Sequence, residues 1–217
     1  MTAKTVGSNI FATTKSRTVK TAETCPTEAL VAHGEEYDAD ALVKELLKDR
    51  MFFENGGGGV TLSGGECLAQ PEFAAEVAKK LYENGISVYI DTCGFVNREA
   101  LENIIPYADK FLYDIKAIDP EVHKRCTGRD NSLILDNLRF LSDNNRKIEI
   151  RYPLVMRYND GECDKIGAFL MNLKGITKVK VLQYHNFAAS RYEALNMANT
   201  LPDTKTSPKD VQWAADV

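Results

Sequence analysis

Gly56-Gly57-Gly58-Gly59-Val60-Thr61-Leu62-Ser63-Gly64-Gly65-Glu66 is the stretch on which the reading of this 217-residue chain turns. Four glycines lead into a short apolar run, and the run ends on a second glycine pair followed at once by a carboxylate. Without a Cβ, Gly64 and Gly65 let a ligand or another backbone come close and adopt positive φ at little cost. A strand that stops at bare backbone beside a charge suits a small polar ligand. A glycine-rich turn before an ordinary buried strand fits the same eleven residues, and they do not decide between the two.

Downstream of this stretch the pattern becomes strand then helix, repeated. Strands are expected at about 58–63, 86–91, 110–115, 148–155 and 178–184, with starts separated by 28, 24, 38 and 30 residues. Ile86, Val88 and Ile90 alternate with polar or aromatic neighbours, as do Val179, Val181 and Gln183. Apolar faces predict helices between them: Phe73, Val77 and Leu81 after Pro71; Leu101, Ile104 and Ile105 after Asn97; Ile134, Leu138 and Leu141; and Ile166, Phe169, Leu170 and Leu173 before Gly175. Asp119-Pro120-Glu121 opens a further small helix, and another is expected over about 190–198. This spacing is that of βαβ units and a parallel sheet, either doubly wound or part of a (β/α) barrel.

Upstream, a helix runs from Asp38 or Asp40 to about Arg50 with Leu42, Val43, Leu46 and Leu47 as its stripe. Residues 1–24 hold nine Ser/Thr and four basic residues without a helix or strand period, and are expected to be a disordered leader. Residues 25–55 read as linker and helix, 56–200 as the barrel-type domain, and 201–217 as a loose tail.

A net charge of -4 gives no basic footprint for nucleic acid, and no apolar run approaches the ~18 residues of a membrane span. The five cysteines, at 25, 67, 93, 126 and 163, are never closer than 26 residues, which excludes a local CxxC motif. Their odd number and the lack of a secretory segment point to free thiols in the cytoplasm.

Both architectures place function at the carboxyl ends of the strands. Those ends are Ser63-Gly64-Gly65-Glu66, Asp91-Thr92-Cys93-Gly94, Asp114-Ile115-Lys116 and Tyr184-His185, and the fourth strand carries Arg151 and Tyr152, whereas the opposite ends carry mostly glycine and lysine. Glu66, Asp91 and Asp114 supply negative charge, Lys116 and Arg151 positive charge, and His185 can stack or hydrogen-bond. A zwitterion suits this mixture, since its ammonium needs acceptors and its carboxylate a cation. Asp91, Thr92 and Asp114 are also three hard oxygen donors for a small cation.

With these residues in view, the chain resembles the activating enzymes of glycyl radical enzymes, pyruvate formate-lyase activating enzyme among them, in the radical S-adenosylmethionine (SAM) superfamily. The matching segments are GGGVTLSGGE (57–66), DTCG (91–94), YDIKAIDPEVHKRCTG (113–128), IRYPLV (150–155) and YH (184–185). The resemblance implies an α/β fold of the partial (β/α)6, TIM-like barrel type, here apparently without its first strand. It implies an oxidoreductase in which a [4Fe-4S] cluster reduces SAM to give a 5′-deoxyadenosyl radical. That radical takes a hydrogen from a glycine of a partner glycyl radical enzyme, with flavodoxin or ferredoxin as electron donor. Carried over by position, Gly64, Gly65 and Glu66 meet the SAM ammonium, Asp114, Ile115 and Lys116 the amino-acid end, and His185 the adenosyl part. Asp91, Thr92 and Asp114 become a monovalent-cation site.

The family holds its cluster with a CxxxCxxC loop, and no such triplet occurs in this sequence. The expectation is therefore a family member altered or truncated at its N-terminus and impaired as this chain. The alternative is an inactive remnant that binds SAM or the partner.

Overall fold

The computed structural model of the chain describes residues 3–6, 9–11, 35–187, 192, 198–200 and 202–217. The chain divides into two compact units, Met1–Leu112 and Tyr113–Val217.

The first unit opens with three short strands, β1 (Ala3–Val6), β2 (Asn9–Phe11) and β3 (Glu35–Tyr37). They form an antiparallel sheet of order β2-β1-β3, so two strands lie within the stretch expected to be a disordered leader. Helix α1 (Ala39–Leu46) begins at Asp38, whose carboxylate accepts from the Ala41 N–H at 2.7 Å, and it buries Ala39, Leu42 and Val43.

A second helix, α2 (Arg50–Gly56), follows a 3-10 turn and buries none of its residues. Its lack of an apolar stripe hid it from periodicity. The glycine run therefore has three jobs rather than one. Gly56 ends α2, and Gly57 caps it in the left-handed region at φ 63°. Gly59 starts β4 (Gly59–Leu62), where a Cβ would lie 2.3 Å from the carbonyl oxygen of Ser87. Strand β4 pairs in parallel with β5 (Ser87–Thr92), Val60 opposite Val88 and Leu62 opposite Ile90. Helix α3 (Pro71–Glu83) lays Phe73, Val77 and Leu81 into the core, and α4 (Arg98–Ile104) adds Leu101 and Ile104. Truncating a fully buried side chain such as Leu101 costs about 2–5 kcal/mol in comparable cores.

Strand β6 (Lys110–Asp114) carries the chain into the second unit, and the large sheet has the order β4-β5-β6-β7-β8. That order never reverses. A doubly wound sheet changes direction at a switch point, so the sequential order favours the barrel-type alternative.

The second unit continues with α5 (Pro120–Thr127), α6 (Ser132–Asp143), β7 (Ile148–Leu154), α7 (Cys163–Leu170) and β8 (Ile176–Gln183). In β7 the even positions Ile148, Ile150, Tyr152 and Leu154 are buried and the odd ones half-buried. Strand β8 pairs in parallel with β7, yet Val179 is 49% exposed and no residue of β8 is fully buried. Its alternation thus marks a strand without a buried face, as an edge position permits. The helix expected over 190–198 lies almost wholly outside the described residues.

The chain end differs from expectation. Instead of a loose tail, α8 (Pro208–Asp216) forms behind a capping box in which Ser207 and Asp210 bond each other's backbone amides, with Pro208 at the first helical position. No helix among the described residues is long and apolar enough to cross a membrane.

Candidate functional site

The strand ends of the first unit are braced by one carboxylate. Glu66 stands before a 3-10 turn (Cys67–Ala69) and accepts from the Leu68 N–H at 3.1 Å. The same carboxylate accepts from the Thr92 hydroxyl at 2.9 and 3.0 Å and from the Cys93 N–H at 2.9 Å. Thr92 in turn accepts from the Gly94 N–H. Glu66 therefore ties the loop after β4 to the loop after β5, a role that the glycine motif alone did not reveal. Ser63 makes a second tie, donating to Asp91 Oδ2 at 2.9 Å. Between Ser63 and Glu66, Gly64 has φ 150°, a backbone that L side chains rarely adopt, and Gly65 is exposed. The unit thus offers bare backbone at the end of β4, held in place from both sides.

In the second unit, Asp114 and Lys116 at the end of β6 stand together with Arg151 in the middle of β7. Lys116 Nζ lies 3.4 Å from Asp114 Oδ2, and Arg151 Nε lies 3.9 Å from Asp114 Oδ1. All three side chains are between a quarter and a third exposed, so solvent reaches them but does not surround them. Ile115 is buried and its N–H donates to the Arg151 carbonyl at 2.9 Å, which fixes the strand end between the two charges. One carboxylate and two cations within reach of each other match a zwitterion's needs. His185, by contrast, is exposed and stacks on Phe187 with ring centroids 4.1 Å apart.

Three residues that the sequence did not single out support this corner. Asn131, Asn159 and Glu162 are all buried, and each bonds backbone within Lys116–Asp119. As isolated letters in loops they resemble ordinary helix caps.

Among the described residues the cysteines do not fit an iron–sulfur cluster. The Cys67 thiol is buried and donates to the Asp91 carbonyl at 3.4 Å. Burial, then the charges of Glu66 and Asp91, push its pKa well above the usual thiol range, the reverse of what a thiolate ligand needs. Cys126 and Cys163, in the other unit, are raised chiefly by burial as well. Among the described residues no group of three or more His, Cys, Asp or Glu is placed to hold a metal ion. Thr92, expected as a cation ligand, points its hydroxyl at Glu66.

Residues 25–170 match the Radical SAM superfamily. The trans-4-hydroxy-L-proline dehydratase activating enzyme of Clostridioides difficile is 44% identical over 167 residues, covering 75% of this chain and 55% of that protein. The choline trimethylamine-lyase activating enzyme of Oleidesulfovibrio alaskensis is 38% identical, covering 78% and 56%. The pyruvate formate-lyase-activating enzyme of Clostridium pasteurianum is 35% identical, covering 83% and 76%. The chain thus spans just over half the length of the first two. A domain of pyruvate-formate lyase-activating enzyme from Bacteroides vulgatus superposes with a TM-score of 0.60 at 26% identity, over 73% of this chain and 91% of that one. Streptococcus suis SuiB bound to S-adenosylmethionine shares the fold, with a TM-score of 0.67 at 13% identity over 85% of this chain and 40% of that one. The chain belongs to the radical SAM superfamily and, within it, to the activating enzymes of glycyl radical enzymes.

Proposed function

We propose that these residues form the SAM-holding part of a glycyl-radical-enzyme activating protein. The observation that carries the reading is the Asp114–Lys116–Arg151 group, a zwitterion-matched donor set at a strand end. It lies inside the segment that matches the superfamily. Lys116 and Arg151 would take the carboxylate of the amino-acid end, and Asp114 its ammonium. By family resemblance the bare backbone of Gly64 and Gly65 in the first unit would also serve SAM, with Glu66 holding that backbone in place through Thr92 and Cys93. His185 would lie against the adenosyl part. When bound and reduced, SAM supplies the radical that takes hydrogen from a partner glycine. The partner is a glycyl radical enzyme of the pyruvate formate-lyase type, and the electron donor is a flavodoxin or ferredoxin.

The missing CxxxCxxC triplet adds a finer reading: residues 1–217 by themselves hold SAM weakly and do not cleave it. Anaerobic reconstitution with iron, sulfide, a strong reductant and SAM tests both levels. The chain alone should give no sustained 5′-deoxyadenosine. A fusion that places the CxxxCxxC segment of a relative in front of it should give that product. Sustained product from the chain alone would refute the finer reading, and a fusion that binds a cluster yet stays inert would refute the broader one.

A further inference from the structure

The loop after β6, Lys116-Ala117-Ile118-Asp119, makes few of its backbone bonds within itself. Lys116 O accepts from Asn159 Nδ2 at 2.8 Å, and Asn131 Nδ2 donates to Ala117 O and Ile118 O at 3.0 and 2.9 Å. The N–H groups of Ile118 and Asp119 both donate to Glu162 Oε2, at 2.9 and 2.8 Å. Five backbone polar groups of this loop are thus met by three side chains, each at most 3% exposed.

The three side chains share a second property. Each occupies the N-cap position of a helix or turn: Asn131 before α6, Asn159 before a 3-10 turn (Asp160–Glu162), and Glu162 before α7. An Asn there ordinarily stabilises its own helix by bonding the second or third amide, worth about 1 kcal/mol. None of the three makes a cap bond to its own helix. Each forgoes that bond and turns to the loop instead. Asn159 also accepts from the Val155 N–H at 2.8 Å and donates to Pro153 O at 2.9 Å, so the end of β7 and the Lys116 loop meet on one amide. Glu162 is a buried carboxylate that accepts from two amides and from Lys165 Nζ at 2.7 Å. A fully satisfied buried network of this kind rigidifies what it holds.

We propose that Asn131, Asn159 and Glu162 are positioning residues that pre-set the backbone of Lys116–Asp119, so that Lys116 meets the amino-acid end of SAM without reorganising. The proposal rests on the reading of Asp114 and Lys116 given above. Preorganisation of a loop raises affinity by removing the ordering cost from the binding step. It acts only on the part of the ligand that Lys116 touches.

Two neutral thioethers separate that part from the rest. S-adenosylhomocysteine carries the amino-acid end, and 5′-methylthioadenosine lacks it. Binding of each to the full chain should be measured by ligand-observed NMR for wild type, K116M, N159A, E162A and E162Q. Wild type should prefer S-adenosylhomocysteine, and K116M should lose that preference. N159A and E162A should cut it by about threefold or more, the worth of one or two hydrogen bonds, with 5′-methylthioadenosine unaffected. E162Q, which keeps an acceptor oxygen toward the two amides, should retain it. Hydrogen exchange provides a ligand-free arm: the Ile118 and Asp119 amides should exchange at least about tenfold faster in E162A while those of β7 stay unchanged. If K116M loses the preference but N159A and E162A keep it, the positioning role is wrong and the site reading stands. If wild type shows no preference, or K116M keeps it, the site reading is wrong and the positioning role falls with it. Equal losses for both ligands, or an E162A exchange rise spread across the unit, would reduce the three residues to fold stability and also overturn the proposal.

Discussion

Cys67 shows how one residue can look functional in sequence and be excluded by its surroundings. It follows the glycine–glutamate motif directly, on a face where cysteines attract attention. Its thiol is buried, bonded to the Asp91 carbonyl, and flanked by two carboxylates, so the thiolate is disfavoured by burial first and by charge second. Alkylation of the native protein near neutral pH should therefore label the exposed Cys126 and leave Cys67 untouched until the protein is unfolded, as peptide mapping would show. Rapid native labelling of Cys67 would contradict this environment. Asp114, Lys116 and Arg151 were legible in the sequence because strands announce themselves through period. Asn131, Asn159 and Glu162 were not, because a cap that bonds its own helix and one that reaches 13 to 44 residues away are the same letters.

At the scale of elements, Asp119 links the loop to α5. Its carboxylate accepts from Glu121 and Val122 N–H groups and pairs with Lys165. The hydrogen bond from Lys165, followed by those two amides, holds its pKa below the usual carboxylate range. A carboxyl depressed on folding stabilises the fold above its unfolded value, near ~3.9, and loses that contribution as pH falls through the folded value. D119N should thus melt below wild type at neutral pH, and the gap should close on acidification below about pH 4. A gap independent of pH would mean that shape, not charge, carries the effect. Strands and amphipathic helices were legible to within a few residues because period is a backbone property. Helix α2 was missed because it buries nothing, and α8 because its signal is a cap, Ser207 with Asp210, rather than a stripe.

On the scale of the whole molecule, sequential strand order, polar carboxyl ends and family membership agree on a SAM-type scaffold. The two architectures that spacing alone left open are separated by strand order, which only pairing reveals. The central proposal is that Asp114, Lys116 and Arg151 of the second unit hold the amino-acid end of SAM. Amide chemical-shift mapping of isotope-labelled protein titrated with S-adenosylmethionine tests it most directly. Saturable shifts at Asp114, Ile115 and Lys116, abolished or strongly weakened in K116M, are the predicted result. Saturable shifts confined to other residues, or the same shifts undiminished in K116M, would contradict it.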